Sequence, residues 1–260
     1  MKIAFIGDVI GRGGRRTVAN IIPRLKDQYE IHLIIANVEN AAGGFGVTEK
    51  ALDQLDLAGV DFFTSGNHIW DKKEGVRLLD ARTNIIRPAN YPGDAPGRGY
   101  RVIQVDGTSV AIFNIQGRVF MPPIDCPFRT IDKNLGQIGD GCPVKIVDMH
   151  AEATSEKVAM GWHLDGRASL VLGTHTHVAT RDARVLPDGT GYVTDVGMTG
   201  SHDSVIGVNK KTIIKRFLEM RPARFETAGG DLRSDIVLAD IDNSTGRTSA
   251  IEHIQMKMEE

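Results

Sequence analysis

The chain has 260 residues, 41% of them hydrophobic and 25% charged, with a net charge of −2. These are the proportions of a globular protein long enough to bury a sizeable core without disulfides. The charge excludes a global basic field for long nucleic acid, and no run in the sequence approaches the roughly 20 apolar residues of a membrane span. The only cysteines, Cys126 and Cys142, form no CxxC pair, so a disulfide framework or a thiolate metal site is not expected. The length fits one domain over residues 1–260. No apolar signal segment precedes the first strand, which points to a reducing, cytoplasmic setting.

Met1–Val9 predicts the first strand. GRGGRRTVANIIPRLKDQ follows as a loop and then a helix, interrupted or kinked at Pro23. Ile31–Val38 is the second strand. Thr48 opens a helix with an apolar face at Leu52, Leu55 and Ala58, and Gly59 stops it. Val60–Ser65 is the third strand, completing the βαβ rhythm of a parallel sheet. Tyr100–Val105 and Ser109–Ile115 flank Asp106-Gly107, a hairpin signal. Gly117–Gly141, rich in Pro, Gly and charge, predicts a long functional or lid loop. Val144–Met149 and Ser169–Leu172 are strands around a helix at Ala153–Trp162. Hairpins centred on Pro187-Asp188-Gly189 and Asn243–Gly246 enclose a helix at Lys210–Met220. The chain thus begins parallel and finishes with antiparallel pieces.

Five of the apolar runs end on residues able to ligate or serve a metal. KIAFIGD ends on Asp8, HLIIANVEN on Glu39 and Asn40, GVDFFTSGNH on Asn67 and His68, VKIVDMH on His150, and SLVLGTHTH on His175 and His177. Strand C-terminal ends in an open α/β sheet share one edge, and ligands bind there. Taken singly, each residue has an ordinary reading: a carboxylate closing a strand caps a turn, and a buried histidine satisfies its own hydrogen bonds. Taken together, carboxylate, amide and imidazole donors suit a pair of borderline-hard divalent metals, and such pairs perform phosphoryl chemistry. His175 and His177, two apart in extended backbone, would share a face. His32, His163, His202 and His253 fall outside the clusters, His202 within a Gly/Ser loop. Gly11–Arg16 looks like a phosphate loop but matches neither glycine-rich fingerprint. Asn114, Gln116 and Arg118 close a strand and are weaker candidates for substrate contact.

The order GD, acidic-Asn, GNH, lone His, GxHxH resembles the calcineurin-like metallophosphoesterase superfamily. That resemblance implies an α/β fold, a four-layer α-β-β-α sandwich with two mixed sheets between helices. Two positions depart from the common pattern. Ile10 stands where an Asp-x-His motif has its histidine, and Glu39 replaces the usual bridging aspartate, which leaves the adjacent Asn40 as substitute ligand. With those departures, GDVIGRGGR, NVENAAGG, GNHIWD, NIQGRVFM and GTHTHV resemble the YmdB-like bacterial branch, over the whole length. Members of that branch look like 2′,3′-cyclic-nucleotide phosphodiesterases with di-iron or di-manganese centres.

The resemblance therefore implies two metal ions, iron first and manganese as the alternative. Asp8, Glu39, Asn40 and His177 would hold one; Glu39, Asn67, His150 and His175 would hold the other, with Glu39 as the bridge. A hydroxide shared between the metals would attack phosphorus, and His68 would be the general acid. The expected partner is a small phosphodiester such as a cyclic nucleotide, with no long nucleic acid and no membrane; homo-oligomerisation is left open. Two other readings stand beside this one: a phosphatase or nuclease on the same scaffold, and a non-catalytic metal- or nucleotide-binding regulator.

Overall fold

The structure, a computed structural model, describes residues 1–259. In chain order its elements are β1 (Lys2–Ile6), β2 (Asp8–Val9), α1 (Gly11–Gln28), β3 (Leu33–Asn37), α2 (Glu49–Ala58), β4 (Phe62–Thr64), α3 (Lys73–Ala81), β5 (Tyr100–Val105) and β6 (Thr108–Gln116). There follow α4 (Pro127–Ile138), β7 (Val144–His150), α5 (Thr154–Leu164), β8 (Leu170–Thr174), β9 (Arg184–Val185), β10 (Gly191–Val193), β11 (Met198–Ser201), α6 (Lys210–Glu219), β12 (Leu232–Ile241) and β13 (Thr248–Lys257). A short 3-10 turn at Asn67–Trp70 follows β4.

Strand alternation dictates the layers. In β1, Ala4 and Ile6 face one core while Ile3 and Phe5 face another. β3 repeats this with Ile34 and Ala36 against Leu33 and Ile35. Burial on both faces explains why these strands are apolar throughout rather than alternating with polar residues. The core holding Ile3, Phe5, Leu33 and Ile35 also takes Val110, Ile112, Ile146 and Leu172, so it lies between two sheets. One outer core joins the first sheet to Val18, Ile21, Leu52 and Leu55 of α1 and α2. The other joins Val147 and Met149 to Ile131 of α4 and Met160 of α5. The result is the α-β-β-α sandwich expected. Each fully buried Ile or Phe in these layers contributes about 1.5–3 kcal/mol.

The first sheet runs β2-β11-β12-β1-β3-β4, with β13 paired to β12. Its β1, β3 and β4 are parallel, and β12 runs antiparallel to β1. The second sheet runs β5-β6-β7-β8-β10-β9, with β6, β7, β8 and β10 mutually parallel. The ligating clusters are thus divided between two sheets: β1, β3 and β4 bring the first three, β7 and β8 the last two. Both sets of C-terminal ends open on the same side, and the expected single edge is a junction of two.

Most element boundaries agree with expectation. The helix after β2 starts at once at Gly11, without an intervening loop, and runs through Pro23. Thr48 caps α2 by accepting from Ala51 N, and Gly59 ends it at φ 100°, a left-handed position that glycine occupies freely. Asp106 and Gly107 both have positive φ, as a tight hairpin turn requires. The second half of the expected lid at Gly117–Gly141 is a helix instead, α4 at Pro127–Ile138. Pro127 sits at its first turn and Ile131 and Leu135 form a buried stripe one turn apart, so composition masked an amphipathic helix. α3 and β11 were not legible as elements.

Candidate metal centre

β1 passes into β2 at Gly7-Asp8 and carries the Asp8 carboxylate to the sheet edge, fully buried. Its Oδ2 accepts from His175 N at 3.2 Å, while Oδ1 is buried with no hydrogen-bond partner. β3 ends at Asn37, whose Oδ1 accepts from Glu39 N and fixes the next turn. Glu39 is fully buried: Oε2 accepts from His68 N at 2.8 Å, and Oε1 lies 3.1 Å from His150 Nε2. His150, the last residue of β7, is fully buried, with Nδ1 2.8 Å from Thr174 Oγ1. Thr174 in turn donates to Asp148 Oδ1 at 2.6 Å. His150 is therefore held from behind and presents Nε2 forward.

That nitrogen has more neighbours than it can satisfy. Asn67 Oδ1, His175 Nδ1 and Glu39 Oε1 each stand 3.1 Å from it. One ring nitrogen offers a single proton or a single lone pair. Donor atoms of Glu39, His150 and His175 all lie within 4.8 Å of one another. The second group shares Glu39. Asn40 Nδ2 is 3.3 Å from Glu39 Oε1 and 3.1 Å from His177 Nε2, and His177 Nε2 is 3.6 Å from the partnerless Asp8 Oδ1. Crowded donor atoms with an orphaned buried carboxylate oxygen fit cations placed among them. Asn40 turns its NH2 inward; rotating the amide brings Oδ1, the ligating atom, to the same place. Gly66 keeps the space open, since a Cβ there would stand 2.2 Å from His150 Nε2 and 2.5 Å from Glu39 Oε2.

Charge is arranged accordingly. Burial works against an ionised Glu39, but the field and hydrogen bond of His150 outweigh it and hold the carboxyl at about 2. Burial also disfavours a charged His177, yet the adjacent Asp8 carboxylate, 3.6 Å away, wins and pushes it up to about 9. His175 goes the other way, down to about 3, through burial and the neighbouring His150. Imidazolium protons on one side thus balance carboxylates on the other.

All eight nominated residues come together. His175 and His177 do so by a route other than expected: they are not in extended backbone but at φ 97° and 62°. Thr176 between them is clamped by Asp195, which takes both its N–H and its hydroxyl. His68 lines the adjoining cavity and pairs Nδ1 with Asp71 Oδ2 at 2.8 Å. Ile10 lines it as well, so no imidazole enters from that motif. The weaker candidates fall away. Arg15 binds Gln54 and the Ala41 carbonyl. Asn114 and Gln116 are buried: Asn114 Oδ1 accepts from Ser65 N and Gln116 Oε1 from the Tyr91 hydroxyl, while Gln116 Nε2 has no hydrogen-bond partner. Arg118 points outward, exposed. His32, His163 and His253 each have structural partners elsewhere, and His202 stands 3.8 Å from Asp235, outside the cluster. Sequence inspection missed Asp71, three residues after His68 in GNHIWD; the Lys157–Asp195 support and the aromatic pair Phe45 and Phe225 carried no motif at all.

The sandwich of two mixed sheets, with this donor set gathered at the strand ends, is the α/β architecture that the sequence implied. The chain belongs to the family described as YmdB-like protein, which it matches over residues 4–254. It is 48% identical over 254 residues to the Bacillus subtilis protein named 2′,3′-cyclic-nucleotide 2′-phosphodiesterase, covering 98% of this chain and 96% of that one. A crystal structure of a hypothetical protein from Thermus thermophilus superposes with a TM-score of 0.94 at 44% identity, covering 100% of both chains. One described as a novel phosphatase, from Mycoplasma pneumoniae, gives a TM-score of 0.94 at 32% identity, covering 99% of this chain and 93% of that one. Among the described residues, no helix is long and apolar enough to cross a membrane.

Proposed function

We propose that this protein is a metal-dependent phosphodiesterase acting on small phosphodiesters, foremost 2′,3′-cyclic nucleotides. The observation that carries the proposal is the convergence on His150 Nε2 of three ligating atoms, with the orphaned Asp8 Oδ1 beside them. Asp8, Glu39, Asn40 and His177 form one ligand set and Glu39, Asn67, His150 and His175 the other, for two iron ions, with manganese as the alternative. When bound, the metals supply Lewis acidity, acidifying water and neutralising charge on the phosphoryl oxygens. The name of the Bacillus subtilis relative supports the substrate class.

The chain's own residues do the rest. Glu39 is held in place by the His68 N–H, so the carboxylate shared by both sets is oriented by the backbone that also carries the general acid. Asp71 Oδ2, 2.8 Å from Nδ1 of His68, orients the ring, so a proton on Nε2 is the one placed to serve the substrate. Water adds to phosphorus, the P–O2′ bond breaks, and the proton on Nε2 goes to the departing ribose oxygen; one water proton stays on the new phosphoryl oxygen and the other, released to solvent, restores Nε2–H. The product is a nucleoside 3′-monophosphate. Buried walls around Glu39 and His150 exclude bulk water and strengthen each of these interactions.

The test is a substrate panel of 2′,3′-cyclic nucleotides, phosphomonoesters and short RNA, assayed with and without metal, alongside elemental analysis. Near two metals per chain with cyclic nucleotides preferred is the expected result. Preference for phosphomonoesters would make the protein a phosphatase, and full activity without metal would end the dinuclear scheme.

A further inference from the structure

The cavity that opens on the metal centre does not stop there. About 370 Å³ in volume, it contains Glu39, Asn40, His175 and His177 at one end. Its other end is apolar and aromatic, with Phe45, Phe225, Ile206 and Val208. Phe45 packs edge-on against His68, ring centroids 4.8 Å apart, and against Phe225 at 5.8 Å with the planes tilted by 42°. The Arg216 guanidinium lies over the Phe225 ring, 4.8 Å from its centroid. A continuous line of π surfaces therefore leads from the general acid outward to α6 and ends on a cation.

Resting on the proposed phosphodiesterase activity, we infer that Phe45 and Phe225, capped by Arg216, are the nucleobase-binding wall that sets substrate specificity. A ligand whose phosphoryl group sits among the histidines must put what is attached to it along this wall, because both lie in one cavity of small-ligand size. The two phenyl rings touch each other, so they form one wall rather than two jaws, and a base lies flat along it. Stacking on phenyl is tolerant of base identity, since every base has a π face, and a guanidinium extends the stack. Glu226, on the same rim, offers a carboxylate to a base N–H. No phosphate-only substrate has use for such a surface. The same wall borders the exposed Phe217 of α6, which makes a second copy of the chain the competing occupant.

The experiment compares a 2′,3′-cyclic nucleotide with 1-O-methylribose 2,3-cyclic phosphate, the same strained ester without its base. In the unaltered protein the nucleotide is preferred in kcat/KM by roughly five- to 150-fold, the range of one base stack. Phe225→Ala and Arg216→Ala shrink that preference toward unity through KM, and Phe225→Trp restores it. Calorimetry of the metal-loaded protein with a nucleoside 3′-monophosphate against ribose 3-phosphate reads the same wall without turnover. Base-dependent binding with no cyclic-ester hydrolysis would sink the proposed activity and leave the wall standing. Hydrolysis of both esters at equal efficiency, with equal binding of both monophosphates, would overturn the wall and leave the activity. Equal loss on both esters in Phe225→Ala, together with a changed oligomeric state by light scattering, would assign the surface to a second copy of the chain and overturn the inference.

Discussion

Lys157 Nζ lies 2.5 Å from Asp195 Oδ2, and both side chains are only 1% exposed. The same Oδ2 takes the N–H and hydroxyl of Thr176, and Oδ1 takes Gly197 N. One ion pair between α5 and the segment after β10 thereby holds the left-handed turn on which His175 and His177 stand. Lys157→Met strands a buried carboxylate, at about 3–5 kcal/mol of stability. It also releases Thr176, so metal affinity falls together with the melting temperature. The double variant Lys157→Met/Asp195→Leu regains much of the stability, since a buried pair is replaceable by apolar packing, but not the metal affinity. Thermal melts and metal titrations separate the two effects. Unchanged affinity in the double variant would mean that the pair serves packing alone.

On the proposed ligand scheme, metal uptake should displace a proton from His177. Asp8 raises that imidazole to about 9 in the metal-free fold, so it is protonated at pH 8. A ligating imidazole must be neutral, and about one proton leaves when metal enters. Calorimetry at pH 8 in two buffers of different ionisation enthalpy should show the difference, and His177→Ala should abolish it. Stability follows the same linkage. The folded value lies above the unfolded one of about 6.5, so the stabilisation is complete below pH 6.5 and is lost as pH rises through 9. The metal-free protein should therefore lose more stability over that interval than the loaded one. Heats independent of buffer would place His177 outside the coordination shell.

The eight clustered residues were legible because strand ends are marked locally, by an apolar run followed by Gly, Asp, Asn or His. That they meet was legible from sheet geometry and from the resemblance together. The division between two sheets was not, because β1 and β7 have the same two-sided apolar pattern and nothing in KIAFI or VKIVDMH names its neighbour. The conformation of the His175-Thr176-His177 turn was invisible for a related reason. It is imposed by Asp195 and Lys157, residues 19 and 38 positions apart from Thr176 and Asp195 respectively. α4 was hidden by composition, since Pro127 and Gly136 suggest a loop until Ile131 and Leu135 are seen to share a buried face.

Gly66 is required by space rather than by conformation. Its φ of −165° suits any residue, but a Cβ would stand 2.2 Å from His150 Nε2. Gly66→Ala should leave the sandwich folded and displace His150 and Glu39 from each other, with loss of one or both metals. Circular dichroism with elemental analysis tests it. Full metal content in Gly66→Ala would show that the site has slack the geometry does not reveal.

A His68 variant tests chemistry apart from binding. Its main chain holds Glu39, and its ring, paired with Asp71, faces the cavity from outside both ligand sets. His68→Ala retains the N–H, so both metals should stay and KM should change little, while kcat falls by about 10²–10⁴, the range for a positioned acid. The loss should depend on the leaving group. A ribose 2′-oxygen departs poorly as an alkoxide and needs the proton; p-nitrophenolate leaves nearly as well without it. The variant should therefore keep far more activity on an aryl phosphodiester than on a 2′,3′-cyclic nucleotide. Asp71→Asn, which removes the charge behind Nδ1 and leaves the ring in place, should fall between the two and show the same leaving-group bias. Equal losses on both substrates would make His68 a positioning residue. Loss of metal would make it a ligand, and the division of Glu39 between two four-residue sets would have to be redrawn around it.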